Sequence, residues 1–440
     1  MVATETKIQQ YARYKDSGVE WLGEIPEHWE LRRIKYLFKE INVRSENGDE
    51  DLLSVSQYTG VTNKSDKVEK GGMLTNAATL EGYKKVAKGD LVSNIMLAWN
   101  GSLGFSPFDG ITSPAYSIYR ILESNYNHYY HYLLRTELYK AEFKRNSSGV
   151  IESRLRLYTD DFFRINAILP PKEEQTAIAH FLDDKTKKID QAIAIKEQQI
   201  GLLKDRKQIL IHKAVTQGLN LNVTMKDSGV EWIGEIPVEW EVKKLFGLSY
   251  FVRGNSSFSK DELLSNGEYV ALQYGKTYKV NKVDEKYNFY INDEFYKDTQ
   301  IVNYGDTIVI STSETIEDLG HSAYYNRHDL GLIGGEQILL NPKKEKINGH
   351  YLYFYSKVFL KELRKYATGI KVFRFNINDL KTIYLAVPPL SEQKEISDYI
   401  EKGCQKIETA IGLKQQEIEK LKEYKGSLIN SCVTGKIKVC

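Results

Sequence analysis

Residues 189–210 and 407–428 carry one ladder written twice. At intervals of four and three, the first reads Ile189, Ile193, Lys196, Ile200, Leu203, Lys207, Leu210. The second reads Ile407, Ile411, Lys414, Ile418, Leu421, Lys425, Leu428. All seven positions match in residue type, while the other faces have drifted, as in Ala194 against Gly412. A 4-3-4-3 alternation places these residues on one narrow seam, the a/d seam of a coiled coil. The simplest reason for a shared seam is that the two helices pack on each other. Lysine at such positions costs stability and serves as a device for register or partner choice. A single amphipathic stripe would be ordinary core; two stripes with the same lysines are a pairing surface.

The duplication extends over the whole chain. Lys15 to Glu30 reads KDSGVEWLGEIPEHWE and Lys226 to Glu241 reads KDSGVEWIGEIPVEWE, identical at thirteen of sixteen positions. Further matches follow at slightly shifting offsets: Gln57-Tyr58 with Gln273-Tyr274, Gly89-Asp90 with Gly305-Asp306, Pro170-Pro171 with Pro388-Pro389, and Glu174-Gln175 with Glu392-Gln393. Small insertions between anchors account for the drift. One ancestral unit of roughly 215 residues has been duplicated, in contrast to a short-period solenoid.

Each unit reads as three parts. A strap opens it, with Asp-Ser-Gly as a turn and two tryptophans: Trp21 and Trp29, then Trp232 and Trp240. These rings suit either a strap that caps its own domain or a surface that docks a partner. A divergent region follows, 31–168 and 242–386, with strand-like runs at Asp90–Ala98, Ala115–Leu122, Asp306–Ser311 and Gln337–Leu340 between Gly-rich turns. A helix is expected near the end of each region, Tyr129–Arg145 and Tyr351–Tyr366. Last comes Pro-Pro, then Glu-Gln and a long helix, 172–216 and 391–433. The resulting fold class is mixed α/β: two tandem globular α/β domains joined by two long helices, with a pseudo-two-fold internal repeat. The expected division is 1–14 as a tail, 15–170 as strap and first domain, 171–216 as central helix, 217–388 as linker, strap and second domain, 389–433 as C-terminal helix, and 434–440 as tail.

Composition limits what the chain does. With 440 residues, 41% hydrophobic and 27% charged, it is globular and large enough for several cores. A net charge of +2 does not by itself argue for nucleic acid. The three cysteines, Cys404, Cys432 and Cys440, form no disulfide framework or metal spacing. The opening MVATETKIQQ lacks the apolar core of a signal peptide, and no run approaches the ~20 apolar residues of a membrane span. A cytoplasmic location without membrane contact is expected.

Catalytic signatures are missing. No phosphate-cradling G-x-x-x-x-G-K-[ST] or G-x-G-x-x-G loop is present, and no H-E-x-x-H or cysteine cluster predicts a metal site. The Pro-Pro pairs follow Leu169 and Val387 and not the Asn or Asp of amino-methyltransferase motifs. The positive signal is electrostatic: Lys144, Arg145, Gly149 and Arg154 recur as Arg364, Lys365, Gly369 and Arg374. Such a cluster is either a solvated helix end or a phosphate-neutralising site, and its recurrence favours the second. Base readers belong in the divergent loops, since Asn and Gln pair with adenine and Arg or Lys with guanine. The candidates are Gln57, Tyr58, Asn63, Lys64, Asn94 and Asn100 in the first unit and Gln273, Tyr274, Lys276, Ser311 and Thr312 in the second. The matched Gln57 and Gln273 would equally serve a shared turn.

The pattern S-G-V-E-W-[LI]-G-E-I-P-x-x-W-E opening each half, with P-P-x-x-E-Q before a long helix, closely resembles the DNA-specificity subunit of type I restriction-modification systems. The resemblance covers essentially the whole chain. It implies two target-recognition domains, each reading one half of a split double-stranded DNA target, and an antiparallel coiled coil that sets their separation. It also implies partners: two methyltransferase (modification) subunits using S-adenosylmethionine, and two restriction subunits using ATP and Mg. The chain itself would hold no cofactor and would be non-catalytic, taking part in DNA methylation and defence against foreign DNA. Straps and outer helix faces would carry the modification subunits. Two other readings remain, a scaffold of another complex that has kept the frame without DNA specificity, and a self-sufficient nuclease or methyltransferase.

Overall fold

Each Asp-Ser-Gly folds as the sequence dictates. Asp16 Oδ1 accepts from Gly18 N and Asp227 Oδ1 from Gly229 N, both at 2.9 Å, with the glycines at φ +70° and +71°, a left-handed geometry that glycine adopts freely. The turn lets Tyr14–Asp16 pair with Glu24–Pro26, and Met225–Asp227 with Glu235–Pro237, antiparallel and in the same register. The computed structural model describes residues 9–67, 77, 79–122, 126–220, 222–316, 319–369 and 371–439. The chain divides into two units, Met1–Lys196 with Gln416–Cys440, and Glu197–Gln415.

The first unit centres on an antiparallel sheet in the order Phe38–Ile41, Tyr116–Ile121, Leu91–Asn94, Leu103–Phe105. The second repeats that order with Ser249–Arg253, Gln337–Pro342, Thr307–Ile310 and Ser322–Tyr325, and adds Lys282–Val283 in parallel at the edge. Register is shared as well: Ile121 lies opposite Phe38 as Pro342 lies opposite Ser249, and Tyr119 opposite Leu91 as Leu340 opposite Thr307. Beyond this frame the units differ. The first has a hairpin, Leu53–Ser56 with Gly60–Asn63, and a pair, Lys84–Val86 with Gly110–Thr112. The second builds one mixed sheet from Tyr290–Ile291, Tyr269–Leu272, Gly331–Ile333 and Ile301–Val302. This is the mixed α/β class expected.

The helix expected over residues 129–145 is two helices, Asn127–Leu133 and Glu137–Arg145. Thr136 breaks it: its hydroxyl accepts from Tyr139 N at 3.3 Å and so starts a new helix instead of extending the old one. In the second unit Gly349–Leu363 is continuous and ends in a 3-10 turn, Arg364–Tyr366.

The four tryptophans pack inside their own units. Trp29 and Trp240 are fully buried, and Trp21 and Trp232 stand edge-on to Tyr139 and Tyr355. The partner-docking expectation for these residues is therefore corrected at Trp29 and Trp240, whose rings have no surface to offer. Their indole N–H groups donate to Glu174 at 3.0 Å and Glu392 at 3.1 Å, the glutamates of the two P-P-x-x-E-Q motifs. The neighbouring Gln175 and Gln393 donate back to the carbonyls of Pro170 and Pro388. The two repeated patterns of each half are thus one latch, tying the strap to the start of the long helix.

Those helices run over Lys172–Gln217, 46 residues, and Leu390–Val433, 44 residues. Within each unit they pack antiparallel. In the first unit Lys425 meets Asp190 at 2.7 Å and Lys196 meets Glu417 at 2.5 Å; in the second Lys207 meets Glu408 at 2.5 Å. All fourteen ladder residues are buried or half-buried. Buried tyrosines grip the far ends: Tyr129 donates to Val433 O at 2.8 Å, and Tyr351 to Val215 O at 3.0 Å.

Candidate nucleic-acid interface

The recurring basic cluster sits on a hook in each unit. In the first, Glu137–Arg145 leads into a tight hairpin in which Ser148 and Arg156 exchange backbone hydrogen bonds at 2.9 and 2.8 Å. Gly149 is required at its φ of +153°, because a Cβ there would lie 2.6 Å from Arg154 O. Leu157 N then donates to Ile95 O at 2.8 Å, clamping the hook onto the loop after the central strand. The second unit repeats this construction. Thr368 and Arg374 exchange bonds at 3.0 Å, Gly369 has φ +127°, and Phe375 N donates to Ser311 O at 3.2 Å. The hook with its basic pair and glycine thus occurs twice, but the predicted match of Arg154 with Arg374 is corrected: Arg374 takes the place of Arg156, and Arg154, in the 3-10 turn Glu152–Arg154, takes that of Val372.

Half of the six predicted phosphate-binding side chains already have acidic neighbours. Lys144 pairs with Glu152 and also lies 5.4 Å from the Trp99 ring centroid. Arg145 pairs with Glu142 at 2.9 Å and Lys365 with Glu362, each three residues back on its own helix. Arg364 Nε donates to Leu319 O at 3.3 Å. Arg154 and Arg374 are exposed. The Lys144 and Lys365 pairs lie at the surface, where such pairs are worth only ~0–1 kcal/mol, so a phosphate can displace them at little cost; Glu142, by contrast, is buried and also accepts from Asn146.

The loop candidates divide. In the first unit Gln57 and Tyr58 form a turn whose carbonyls accept from Arg135 Nη2 at 2.7 and 3.3 Å, and Tyr58 is left 84% exposed at the tip. Asn63 Oδ1 accepts from Ser65 N and Oγ, and the half-exposed Lys64 donates its backbone N–H to Leu52 O. Asn94 is corrected as a base reader: it is buried and its Oδ1 accepts from Met96 N at 3.1 Å, holding its own loop. Asn100 is half-exposed at the end of the short helix Ala98–Asn100.

In the second unit Gln273 caps the short helix Tyr274–Thr277 through Oε1, while Lys276 Nζ lies 4.4 Å from the Phe289 ring. Tyr274 donates to Thr312 O at 3.3 Å. Ser311 and Thr312 are also corrected as readers, since both are buried and the Ser311 hydroxyl donates to Glu336 O at 3.1 Å. They wall a groove that also takes in Arg253, Glu336, Arg374, Asn376 and Asn378. Of that set only Ser311, Thr312 and Arg374 are foreseen by the sequence. Gly334-Gly335 before Glu336 is the one local mark of a special turn there.

Among the described residues no group of His, Cys, Asp and Glu is placed to hold a metal ion, and no helix is long and apolar enough to cross a membrane.

The sequence profile described as "Type I restriction modification DNA specificity domain" matches residues 26–201 and again 237–423. A protein of Methanocaldococcus jannaschii ascribed to the MjaX type I restriction enzyme as its specificity subunit is 28% identical over 459 residues, covering 95% of this chain and 96% of that one. The MjaVIII specificity subunit of the same organism is 25% identical, covering 94% of each. In fold, the chain is similar to one from a structural study of complex assembly and conformational transition in the type I R-M system, with a TM-score of 0.69 at 14% identity, covering 93% of this chain and 98% of that one. Two profile matches, one on each repeat, make this chain a member of the type I restriction-modification DNA-specificity family.

Proposed function

We propose that this chain reads the two halves of a split DNA target, one with each unit, and positions two methyltransferase subunits on it. One observation carries the reading. The same four-strand sheet, latch and basic hook occur twice, while the loops hung on that frame differ completely. A constant frame suits contacts that carry no sequence information, chiefly phosphates, and divergent loops suit base edges. Lys144, Arg145, Arg154, Arg364, Lys365 and Arg374 are the phosphate contacts. Tyr58, Gln57, Asn63, Lys64, Asn100, Gln273, Tyr274 and Lys276 are base or loop contacts around them.

The helix pair acts as a ruler for the spacer between the two halves. At 1.5 Å per residue the central helix is about 69 Å long, against about 34 Å for one turn of B-DNA. Ladder lysines fix its register. Methyl transfer from S-adenosylmethionine, and ATP- and Mg-dependent restriction by two further subunits, belong to partner chains in the cytoplasm. The chain itself supplies no catalysis.

Comparing the adenine methylome of the host with and without this gene tests the reading. Loss of methylation at one split, asymmetric motif is the expected result. An unchanged methylome in a host that makes the methyltransferase would contradict it. Charge reversal at Lys144, Arg145, Arg364 and Lys365 separates DNA reading from a mere scaffold, because only the first loses DNA binding.

A further inference from the structure

Glu336 has the only positive φ of any non-glycine among the described residues, +62°. Its backbone carbonyl is held by Ser311, and the turn around it is closely packed. Ser311 donates both its N–H (3.2 Å) and its hydroxyl (3.1 Å) to the Glu336 carbonyl. Gly254 and Gly334 touch so closely that a Cβ on Gly254 would fall 1.8 Å from Gly334 O. A left-handed non-glycine residue is a strained choice that glycine would relieve. The sequence supplies glycine at 334 and 335 and withholds it at 336.

Glu336 is exposed and lines the groove walled by the second hook, together with Arg253 and Arg374. No ion pair joins the glutamate to either arginine among the described residues, although all three line one groove. The carboxylate and the guanidinium groups are therefore available to something outside the chain. A carboxylate beside a phosphate-binding hook is repelled by the DNA backbone unless it meets a donor on a base. Glutamate accepts from an exocyclic amine in the major groove. The corresponding place in the first unit, fixed by the shared register of Tyr116–Ile121 and Gln337–Pro342, is held by Ala115. A reader there would thus belong to one half of the target alone.

We propose that Glu336 is a specificity-determining residue of the second unit. It accepts a hydrogen bond from the exocyclic amino group of one base, cytosine N4 or adenine N6, while Arg253 and Arg374 hold the flanking phosphates. This rests on the reading of the chain as a two-part DNA reader.

The test uses the full chain in complex with its methyltransferase subunits. Duplexes carry the methylome-derived motif with each specified base exchanged in turn. The unaltered complex must discriminate at positions in both halves; if it discriminates in neither, the reading of the chain fails and not this inference alone. Glu336→Gly suits the left-handed backbone, and Glu336→Gln keeps the side-chain shape. Glu336→Gly is expected to lose at least about ten-fold discrimination at one position of one half, with the other half unchanged, and Glu336→Gln, which keeps an acceptor and pairs with adenine, to favour adenine at that same position. The base specified at that position, cytosine or adenine, identifies which amine is read. Retained discrimination at every position, or a uniform loss of affinity for all duplexes, would assign Glu336 to holding its turn and overturn the proposal.

Discussion

Asp90 and Asp306 occupy the same place in the two sheets and live in opposite circumstances. Each follows a left-handed glycine and accepts from a backbone N–H three residues earlier, Ala87 at 3.0 Å and Asn303 at 2.8 Å. Asp90 is also gripped by the Arg120 guanidinium through two bonds of 2.8 Å. In the second unit the position matching Arg120 is Asn341, and among the described residues no ion pair to Asp306 replaces it. Burial therefore pushes the Asp306 carboxyl up to about 7, against the weaker pull of the Asn303 and Asn341 hydrogen bonds and of Lys344. A group whose folded pKa lies above its unfolded value of about 4 binds more protons folded than unfolded between those pH values. Its contribution to stability falls as pH rises from 4 to 7, and the full cost is present above 7. Asp306→Asn should therefore stabilise the second unit at pH 8, by on the order of 2–4 kcal/mol, and change little at pH 4. Asp90→Asn should destabilise the first unit by roughly 1–3 kcal/mol at pH 7, because Arg120 loses its partner. Denaturant titrations at pH 4, 7 and 8 check both signs; stabilisation by neither or by both would refute the contrast.

The same pairing of likeness and difference holds for the elements. Lys425–Asp190 and Lys207–Glu408 are one contact made twice, with an aspartate exchanged for a glutamate. In the third ladder contact, Lys196–Glu417, the charge pattern is not repeated, since the residue matching Glu417 is the uncharged Gln199. Partly exposed pairs of this sort contribute about 0.2–1 kcal/mol each, so their role is to penalise a shifted register. Lys425→Glu should cost about 1 kcal/mol, and adding Asp190→Lys should recover most of it in a double-mutant cycle. Failure to recover would mean that these charges do not select the register. The ladder was legible because its 4-3 spacing and its lysines survived duplication. The latch was legible only as two separate patterns. That the strap tryptophan donates to the glutamate of P-P-x-x-E-Q joins residues about 150 positions apart, which local periodicity does not encode. The two latches also differ electrostatically. Burial raises the carboxyls of both glutamates, but in Glu174 hydrogen bonds from Tyr11, His28 and Trp29 outweigh it, and in Glu392 the bond from Trp240 does not.

Over the whole molecule, duplication made the fold class readable: anchors at recurring offsets gave the strap, the sheet region and the long helix twice. The interface was less readable. Residue type alone selected Asn94, Ser311 and Thr312, yet their side chains face inward, because a polar residue just after a central strand is as useful for closing its own loop as for meeting a base. Conversely, Glu336 and Arg253 gave no sequence signal, since their importance lies in a groove assembled from separate segments spread between Arg253 and Asn378. Each unit is expected to read one half of the target independently of the other. Replacing residues 31–168 with the corresponding region of another family member, then sequencing the host methylome, tests it most directly. A new methylated motif is expected, with one half changed, the other half identical and the spacer preserved. Change in both halves at once would contradict it.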